Sequence, residues 1–166
     1  CKLTAKNQSG MVFKGGDAFN SVPSSILVEK TKGLVEALDR LKYEYVEKDN
    51  RIEIIGKSVH AQVAETGINA INRYLHALSI SGIETKSGRF VVENLIGYDF
   101  AEPIFGEVKD EHSGELKFNV GKIEFTPENE ILCVDMRIPV TYDKELIVKA
   151  LSEKAKEYGF EYAQHD

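Results

Sequence analysis

The sequence predicts an α+β fold with antiparallel sheets, and three observations carry this prediction. Pairs of strand-like segments are joined by short polar turns, which is the pattern of β-hairpins. Apolar residues recur at helical spacing in three other segments that lie between and after the hairpins. Hydrophobic residues make up 42% of the 166 residues, which is enough to bury a core in one domain or two small ones.

The first 55 residues contain short strands and one helix. The opening KLTAK is strand-like, Met11–Gly16 is a short strand that ends in a glycine pair, and Ser25–Lys30 is a second apolar strand. Apolar residues at helical spacing predict an amphipathic helix from about Lys32 to Lys42. The strands Tyr43–Glu47 and Arg51–Ile55 then flank a polar turn, so this segment is predicted to be a hairpin.

A longer helix is predicted from Thr66 to Ser81, with Gly82 ending it. Four apolar side chains repeat along this helix on one face: Ile68, Ile71, Leu75 and Leu78. The segment Asn94–Phe100 is predicted to be a helical turn or a short helix. The glycine-punctuated stretch that follows it is predicted to be irregular.

The last third of the chain holds the strongest hairpin, LKFNVGKIEF and EILCVDMRIPV joined across TPEN. A helix capped by Thr141 or Asp143 follows and ends at Gly159. Its predicted apolar stripe consists of Leu146, Ala150, Leu151, Ala155 and Tyr158. FEYAQHD is a candidate closing strand. The whole order is typical of a ferredoxin-like antiparallel sheet with helices on one face, built once or as two such subdomains.

Charge and composition exclude several classes of partner. The formal net charge is -6, whereas nucleic-acid binding needs a basic face, so we expect no nucleic-acid partner. No apolar run is long enough to cross a bilayer, and the first ten residues lack a signal-peptide core, so we expect no membrane contact. Cys1 and Cys133 do not make a disulfide framework, which favours the cytoplasm. Because the chain opens in mid-pattern with Cys1, we expect a piece excised from a longer protein.

No complete catalytic or metal site can be assembled from the residues alone. None of the four histidines lies in a metal-ligand motif, and Ser58 is too close to His60 in the chain to form a nucleophile–base pair. The cluster Asp110-Glu111-His112 is compatible with a metal site, but a solvated turn is the better interpretation. His60 is distinctive because a lone titratable ring occupies the corner between a strand and a helix.

Two further polar positions have both a functional and a structural interpretation. Strand alternation puts Arg137 on the same face as Asp135, just before Pro139. A guanidinium can bind a carboxylate through two hydrogen bonds, but the sequence alone favours an internal pair with Asp135. Asn20 lies in a turn before a proline, and ordinary turn chemistry is again the favoured interpretation.

Four stretches taken together resemble one enzyme family. GGDAFNSVP, GKSVHAQVAETGINA, DEHSGELKFNVGKIEF and VDMRIPV resemble, in the same order, the lid region of the dinuclear-zinc M20 metallopeptidases. The similarity is greatest to the PepV-like branch of Xaa-His, carnosinase-like dipeptidases, and it covers essentially the whole chain. Its most specific element is G-K-S-x-H-A followed by G-x-N-A. The chain departs from the commonest family pattern in KSVHAQVAETG, where small residues and proline are more usual.

The resemblance implies that residues 1–166 are the inserted lid, or dimerisation, domain of a cytoplasmic zinc dipeptidase. Its partner would be the catalytic domain of the same polypeptide, which holds two zinc ions outside this chain. His60 would contact the substrate carbonyl and the oxyanion that forms during hydrolysis. Arg137 and Asn20 would hold the free carboxylate and the backbone of the dipeptide substrate. We therefore expect no metal ligand in this chain and no activity from the chain alone.

Two other functions stay open at this point. The chain could be a stand-alone ferredoxin-like binding or regulatory module, with His60 and Arg137 as ligand contacts and no catalysis. It could also be a purely structural dimerisation module. A parent sequence that supplies the family's zinc ligands on either side of this segment would favour the lid interpretation.

Overall fold

The computed structural model describes residues 1–165 and confirms the α+β class with antiparallel sheets. In chain order, the strands are β1 (Lys2–Lys6), β2 (Phe13–Gly15), β3 (Ser25–Glu29), β4 (Tyr45–Lys48), β5 (Arg51–Ile55), β6 (Lys109–Asp110), β7 (Gly114–Glu115), β8 (Lys117–Phe125), β9 (Asn129–Arg137) and β10 (Glu161–Ala163). The α-helices are α1 (Leu34–Leu41), α2 (Ala70–Ile80), α3 (Lys86–Asn94), α4 (Glu102–Phe105) and α5 (Lys144–Glu157). A 3₁₀ helix at Ala61–Thr66 lies between β5 and α2.

The larger sheet has five strands in the spatial order β10-β1-β9-β8-β2, and every neighbouring pair is antiparallel. β8 and β9 pair over most of their length, with Lys117 opposite Arg137 at one end and Phe125 opposite Glu130 at the other. A β-bulge between Val120 and Lys122 interrupts this register. The second sheet has three strands in the order β3-β5-β4, and β6 and β7 form a small separate hairpin.

Around the larger sheet the elements follow the order β1, α2 with α3, β8, β9, α5 and β10. This β-α-β-β-α-β succession is the one that ferredoxin-like folds have. However, β2 adds a fifth strand, and the second sheet is not a copy of the first. The ferredoxin-like description therefore stays a prediction, and the structure gives no repeat of it in β3 to β5.

α2 packs on both sheets and joins their apolar faces into one core. It contacts β8 in the larger sheet as well as β3 and β5 in the smaller one. Its inward side chains are almost completely removed from solvent: Ile71, Tyr74, Leu75 and Leu78. Buried residues of both sheets belong to one hydrophobic cluster. The two sheets are thus built around a single core.

The helix predicted from Thr66 begins later, at Ala70. Asn69 caps it, because its side-chain oxygen accepts a hydrogen bond from the backbone N–H of Asn72 at 3.0 Å. Ile68, the first member of the predicted stripe, therefore lies before the helix and is exposed. The other three members of the stripe are buried as predicted.

The sequence prediction missed α3, since it expected a helical turn or short helix at Asn94–Phe100 instead, and it also missed α4, β6 and β7 in the stretch it expected to be irregular. The structure has the helix at Lys86–Asn94 and turns after it. The first turns are polar and contain Gly88, which weakens the local helical signal. Thr85 compensates, because its hydroxyl accepts a hydrogen bond from the Gly88 N–H at 2.7 Å.

α5 starts at the cap that the sequence suggested but presents a different face to the core. The Asp143 carboxylate accepts a hydrogen bond from the Glu145 N–H at 2.9 Å. Leu146 was predicted to be in the buried stripe, but it is 65% exposed. The buried residues are Ile147, Leu151 and Ala155, which are spaced four apart and so share one side of the helix.

Both predicted hairpins are confirmed, and the predicted closing strand is present as β10, paired with β1. The predicted segment FEYAQHD ends at Asp166, which lies outside the described residues. Among residues 1–165, no helix combines the length and the apolar character that crossing a bilayer requires.

Candidate functional site

A closed loop carries His60 beyond the end of β5. The backbone groups of Lys57 and Ile68 bond to each other in both directions, at 2.8 and 3.0 Å, so the loop leaves and returns at one point. Gly67 permits this closure, because a Cβ atom there would lie 2.8 Å from the Lys57 carbonyl oxygen. The 3₁₀ helix lies inside the loop, and His60 is the residue that precedes it. The loop base is therefore held while His60 itself is exposed.

The imidazole of His60 has a defined hydrogen-bonding state. Its Nδ1 accepts a hydrogen bond from the backbone N–H of Gln62 at 3.0 Å. A backbone N–H can only donate, so the neutral ring carries its own proton on Nε2. Because His60 is exposed, this Nε2–H can donate to a group that approaches from outside. A fixed donor of this kind is what stabilises an oxygen atom that gains negative charge.

Asn20 lies in the segment that runs beside His60. The Asn20 carbonyl accepts a hydrogen bond from the Ala61 N–H at 2.9 Å. Ser21 and His60 form an isolated antiparallel bridge. Asn20 is exposed, as His60 is. The fold thus brings the backbones of these two exposed residues together from distant parts of the chain at one corner, with Ser21 directly opposite His60.

Arg137 lies at the end of β9 and is paired with Asp135. Its Nε and Nη2 donate to one carboxylate oxygen of Asp135, at 3.2 and 2.8 Å, so the internal pair that the sequence favoured is present. Nη1 takes no part in this pair, and the side chain is 35% exposed. A cavity of about 390 Å³ lies beside Arg137 and Pro139. Gln62, whose backbone holds the His60 ring, lines the same cavity.

An ion pair between Lys117 and Glu65 fastens the 3₁₀ helix to β8. The Lys117 Nζ lies 2.6 Å from Glu65 Oε1, and only 9% of the lysine side chain is exposed. The same ammonium group lies 5.0 Å from the centre of the Phe100 ring, whose π-electrons attract a cation. A partly buried pair of this kind is screened little by solvent, so it holds the His60 loop against the larger sheet.

Several residues around the corner were not singled out from the sequence. They are Gln62 and Glu65, which lie in the His60 loop, and Lys117 and Asn119, which lie beside it on β8. A signal for two of them was present, because Lys117 and Asn119 are polar residues inside the otherwise apolar strand LKFNV. A polar side chain at a buried strand position needs a partner, and here the partners come from the loops above β8.

The cluster Asp110-Glu111-His112 forms a turn. The Asp110 carboxylate accepts hydrogen bonds from the N–H groups of His112 and Ser113 and from the hydroxyl group of Thr141. These bonds use the carboxylate oxygens in joining β6 to β7 and to the start of α5. In residues 1–165, no three His, Cys, Asp or Glu side chains converge into a group that could hold a metal ion.

The comparisons with known proteins add no assignment: neither a family model nor a curated protein matches this chain. The similarity to the M20 lid region therefore stays a prediction that rests on the four sequence stretches. The structure contributes an independent observation: the backbone of Asn20 pairs next to His60, and Gln62, whose N–H bonds to the His60 ring, lines the cavity beside Arg137.

Proposed function

We propose that this chain is the substrate-capping lid of a cytoplasmic dinuclear-zinc dipeptidase and that its exposed corner completes the active site of a separate catalytic domain. The observation that carries the proposal is the hydrogen bond from the Gln62 N–H to His60 Nδ1, at 3.0 Å. This bond leaves Nε2–H as the donor of an exposed ring, and Glu65, the acidic residue of the same loop, is paired with Lys117.

In this proposal the catalytic domain holds two zinc ions, which would supply the activation of water and of the substrate carbonyl. His60 donates its Nε2 proton in a hydrogen bond to the carbonyl oxygen of the scissile peptide. That bond strengthens as the oxygen becomes negatively charged in the transition state. The loop closure at Lys57 and Ile68 helps to fix the donor before the substrate arrives.

Arg137 and Asn20 have binding roles in the same proposal. The Nη1 side of the Arg137 guanidinium receives the C-terminal carboxylate of the dipeptide, while Asp135 keeps the opposite side oriented. The Asn20 amide can donate to and accept from the substrate backbone. The corner and the cavity beside Arg137 would thus contact both the reacting carbonyl and the end of the substrate, which would favour short peptides.

The test is a His60→Ala variant of the longer protein that contains this chain. We expect kcat for a Xaa-His dipeptide to fall by about 10²- to 10³-fold, the usual effect of removing one oxyanion donor. KM should change less, because the hydrogen bond matters most in the transition state. Melting temperature and zinc content should stay unchanged, since His60 is exposed and is not expected to bind metal.

His112→Ala is the matched control, because His112 is also exposed and lies in the turn between β6 and β7. This variant should keep normal kcat and KM. Normal turnover in the His60 variant would remove the catalytic role and with it the proposal. A fall in activity that only follows loss of folded protein would have the same consequence.

A binding module without catalysis is the second candidate, and the cavity beside Arg137 favours it. Arg137 lines this cavity beside Gln62, so its guanidinium could bind a carboxylate ligand there. Calorimetry of the 166-residue chain with a dipeptide distinguishes the two functions. Binding that Arg137→Ala abolishes would support the module, whereas the lid needs its catalytic domain for measurable affinity.

A further inference from the structure

Asn119 is a buried amide directly beneath the segment that carries Asn20. It lies on β8 and is 2% exposed. Its Nδ2 group donates to the carbonyl oxygens of Phe19 and Ser21, at 3.0 and 2.8 Å. These two carbonyls flank Asn20 on either side, so one side chain fixes the backbone before and after the predicted substrate-binding residue.

The other end of the Asn119 amide is also engaged. Its Oδ1 accepts a hydrogen bond from the Asn69 Nδ2 at 3.3 Å, and the same Asn69 group donates to the Val120 carbonyl at 2.9 Å. Asn69 is the cap of α2, through its bond to the Asn72 N–H. A series of hydrogen bonds therefore runs from the start of α2, through Asn119, to both sides of Asn20.

Close backbone packing at the bulge holds the same segment. A Cβ atom on Gly121 would lie 2.6 Å from the Phe19 carbonyl oxygen and 2.8 Å from the Phe19 Cα, so only glycine fits there without a shift. The segment in turn bonds to the His60 loop: the Val22 N–H donates to the Val59 carbonyl at 2.9 Å. Asn119 and Gly121 thus support the Asn20 segment, which in turn bonds to the His60 loop.

We infer that Asn119 is a positioning residue that sets the place of Asn20 relative to His60 through the Phe19 and Ser21 carbonyls. The inference deepens the proposed function and rests on it for its catalytic meaning. An amide suits the role, because it offers two donors for the two carbonyls and an acceptor for Asn69. An apolar side chain at this place would remove the donors that these two partly buried carbonyls have in Asn119.

The first test measures amide hydrogen exchange in the 166-residue chain and needs no enzyme activity. Asn119→Ala should speed exchange at the Ala61 and Val22 amides by about tenfold, relative to core amides of β8 and β9. The reason is that the Asn20 segment, to which both amides belong or bond, loses the stabilisation of roughly one net hydrogen bond from Asn119. Asn119→Ser, which keeps one donor, should give a smaller change and serves if the alanine variant folds poorly.

Asn94→Ala is the matched control. Asn94 is an equally buried asparagine, 1% exposed, whose Nδ2 donates to the Phe90 carbonyl and the Tyr158 hydroxyl at 2.9 and 3.1 Å. It lies on α3, and both of its bonds go to groups outside the His60 loop. Asn94→Ala should lower the free energy of unfolding to a similar degree as Asn119→Ala, without a selective change in amide exchange at Ala61.

The second test measures kcat/KM in the longer protein. Displacement of a positioned group costs up to about 10²-fold, so Asn119→Ala should lose activity while Asn94→Ala should not. Equal exchange at Ala61 in the two variants would overturn the positioning role. So would an unchanged kcat/KM in an Asn119 variant whose Ala61 amide exchanges faster. Failure of the proposed function would be recognised separately, by normal turnover in His60→Ala.

Discussion

Glu130 is a carboxylate almost fully removed from water, at 1% exposure, and it joins β9 to the start of α3. One of its oxygens accepts hydrogen bonds from the backbone N–H and the hydroxyl of Ser87, both at 2.8 Å. The other accepts from the Lys86 N–H at 3.2 Å. These N–H groups have no partner within the helix, and the helix N-terminus favours a negative charge. A buried acidic side chain is therefore hydrogen-bonded by the start of a helix that the local sequence specifies weakly.

Glu130→Gln tests this arrangement. The amide keeps the size of the side chain but presents N–H groups to donors, so we expect a loss of about 1–3 kcal/mol in the free energy of unfolding. Glu128→Gln is the control, because Glu128 is exposed in the turn before β9, and it should change stability by no more than about 0.5 kcal/mol. Urea denaturation of both variants gives the values. Equal stability of the two variants would show that the hydrogen bonds from the start of α3 to Glu130 contribute little.

Arg137 gives a prediction about substrate chemistry. In the proposed enzyme, Arg137→Ala should lower kcat/KM for dipeptides with a free carboxylate by about 10- to 100-fold, mainly through KM, because a charged hydrogen bond is lost. C-terminally amidated dipeptides should be affected little, since they lack the charge that pairs with the guanidinium. Arg89→Ala is the control: Arg89 is also near a carboxylate, Glu93 at 3.8 Å, but lies on α3. An equal loss for acid and amide substrates would contradict the carboxylate role.

Among the elements, the small hairpin of β6 and β7 depends on one carboxylate for its link to α5. Asp110 accepts the Thr141 hydroxyl at 3.0 Å and the Thr141 N–H at 3.3 Å, in addition to its bonds within the turn. The hydrogen bond from the Ser113 backbone is the main cause that lowers the pKa of Asp110 from 3.8 to about 2, with the Thr141 hydroxyl adding to it. The hairpin is thus held to the N-terminal side of α5 by an ionised side chain.

This lowered pKa predicts a pH dependence at the level of the hairpin. A carboxyl whose pKa is lower in the folded state stabilises the fold fully above its unfolded pKa, here 3.8, and loses that contribution as pH falls toward about 2. Asp110→Asn should therefore lower the melting temperature at neutral pH, and its difference from wild type should shrink between pH 3.8 and about 2. Glu111→Gln, at the exposed neighbouring position, serves as control. A difference that stays constant over this range would refute the linkage.

At the scale of the whole molecule, α2 makes the two sheets depend on each other. Its buried side chains contact strands of both sheets, and one hydrophobic cluster extends through them. Loss of either sheet would expose the inner face of α2 to water, which is unfavourable in proportion to the apolar area exposed. The structure therefore gives neither sheet an independent core.

We expect the 166-residue chain to unfold in one cooperative transition, with both sheets melting together. Far-ultraviolet circular dichroism reports all elements. The chain has no Trp, so Tyr45→Trp in β4 and Tyr162→Trp in β10 give separate fluorescence probes for the two sheets. Coincident urea transitions at both probes support one core. Two separated transitions would mean that the sheets fold as independent units.

Features that arise from neighbouring residues were predictable. The hairpin of β8 and β9 has strand-like segments on either side of a polar turn, and α5 has a cap at Asp143 and a glycine after it. The class of fold follows from such local patterns, because alternation and helical periodicity each depend only on residues a few positions apart. Where two apolar residues were adjacent, as at Leu146 and Ile147, the pattern did not decide which one faces the core.

The tertiary structure decided the features whose partners lie far apart in the chain. Asn119 bonds to carbonyl groups that are 100 and 98 residues away, and Glu130 supports a helix start 43 and 44 residues away. The sequence by itself determined the α+β class, the hairpins and His60 as a distinctive position. It could not by itself bring Asn20 beside that histidine, because a buried polar group is stabilised by whichever partner the packed chain supplies, and that choice is made only when the core forms.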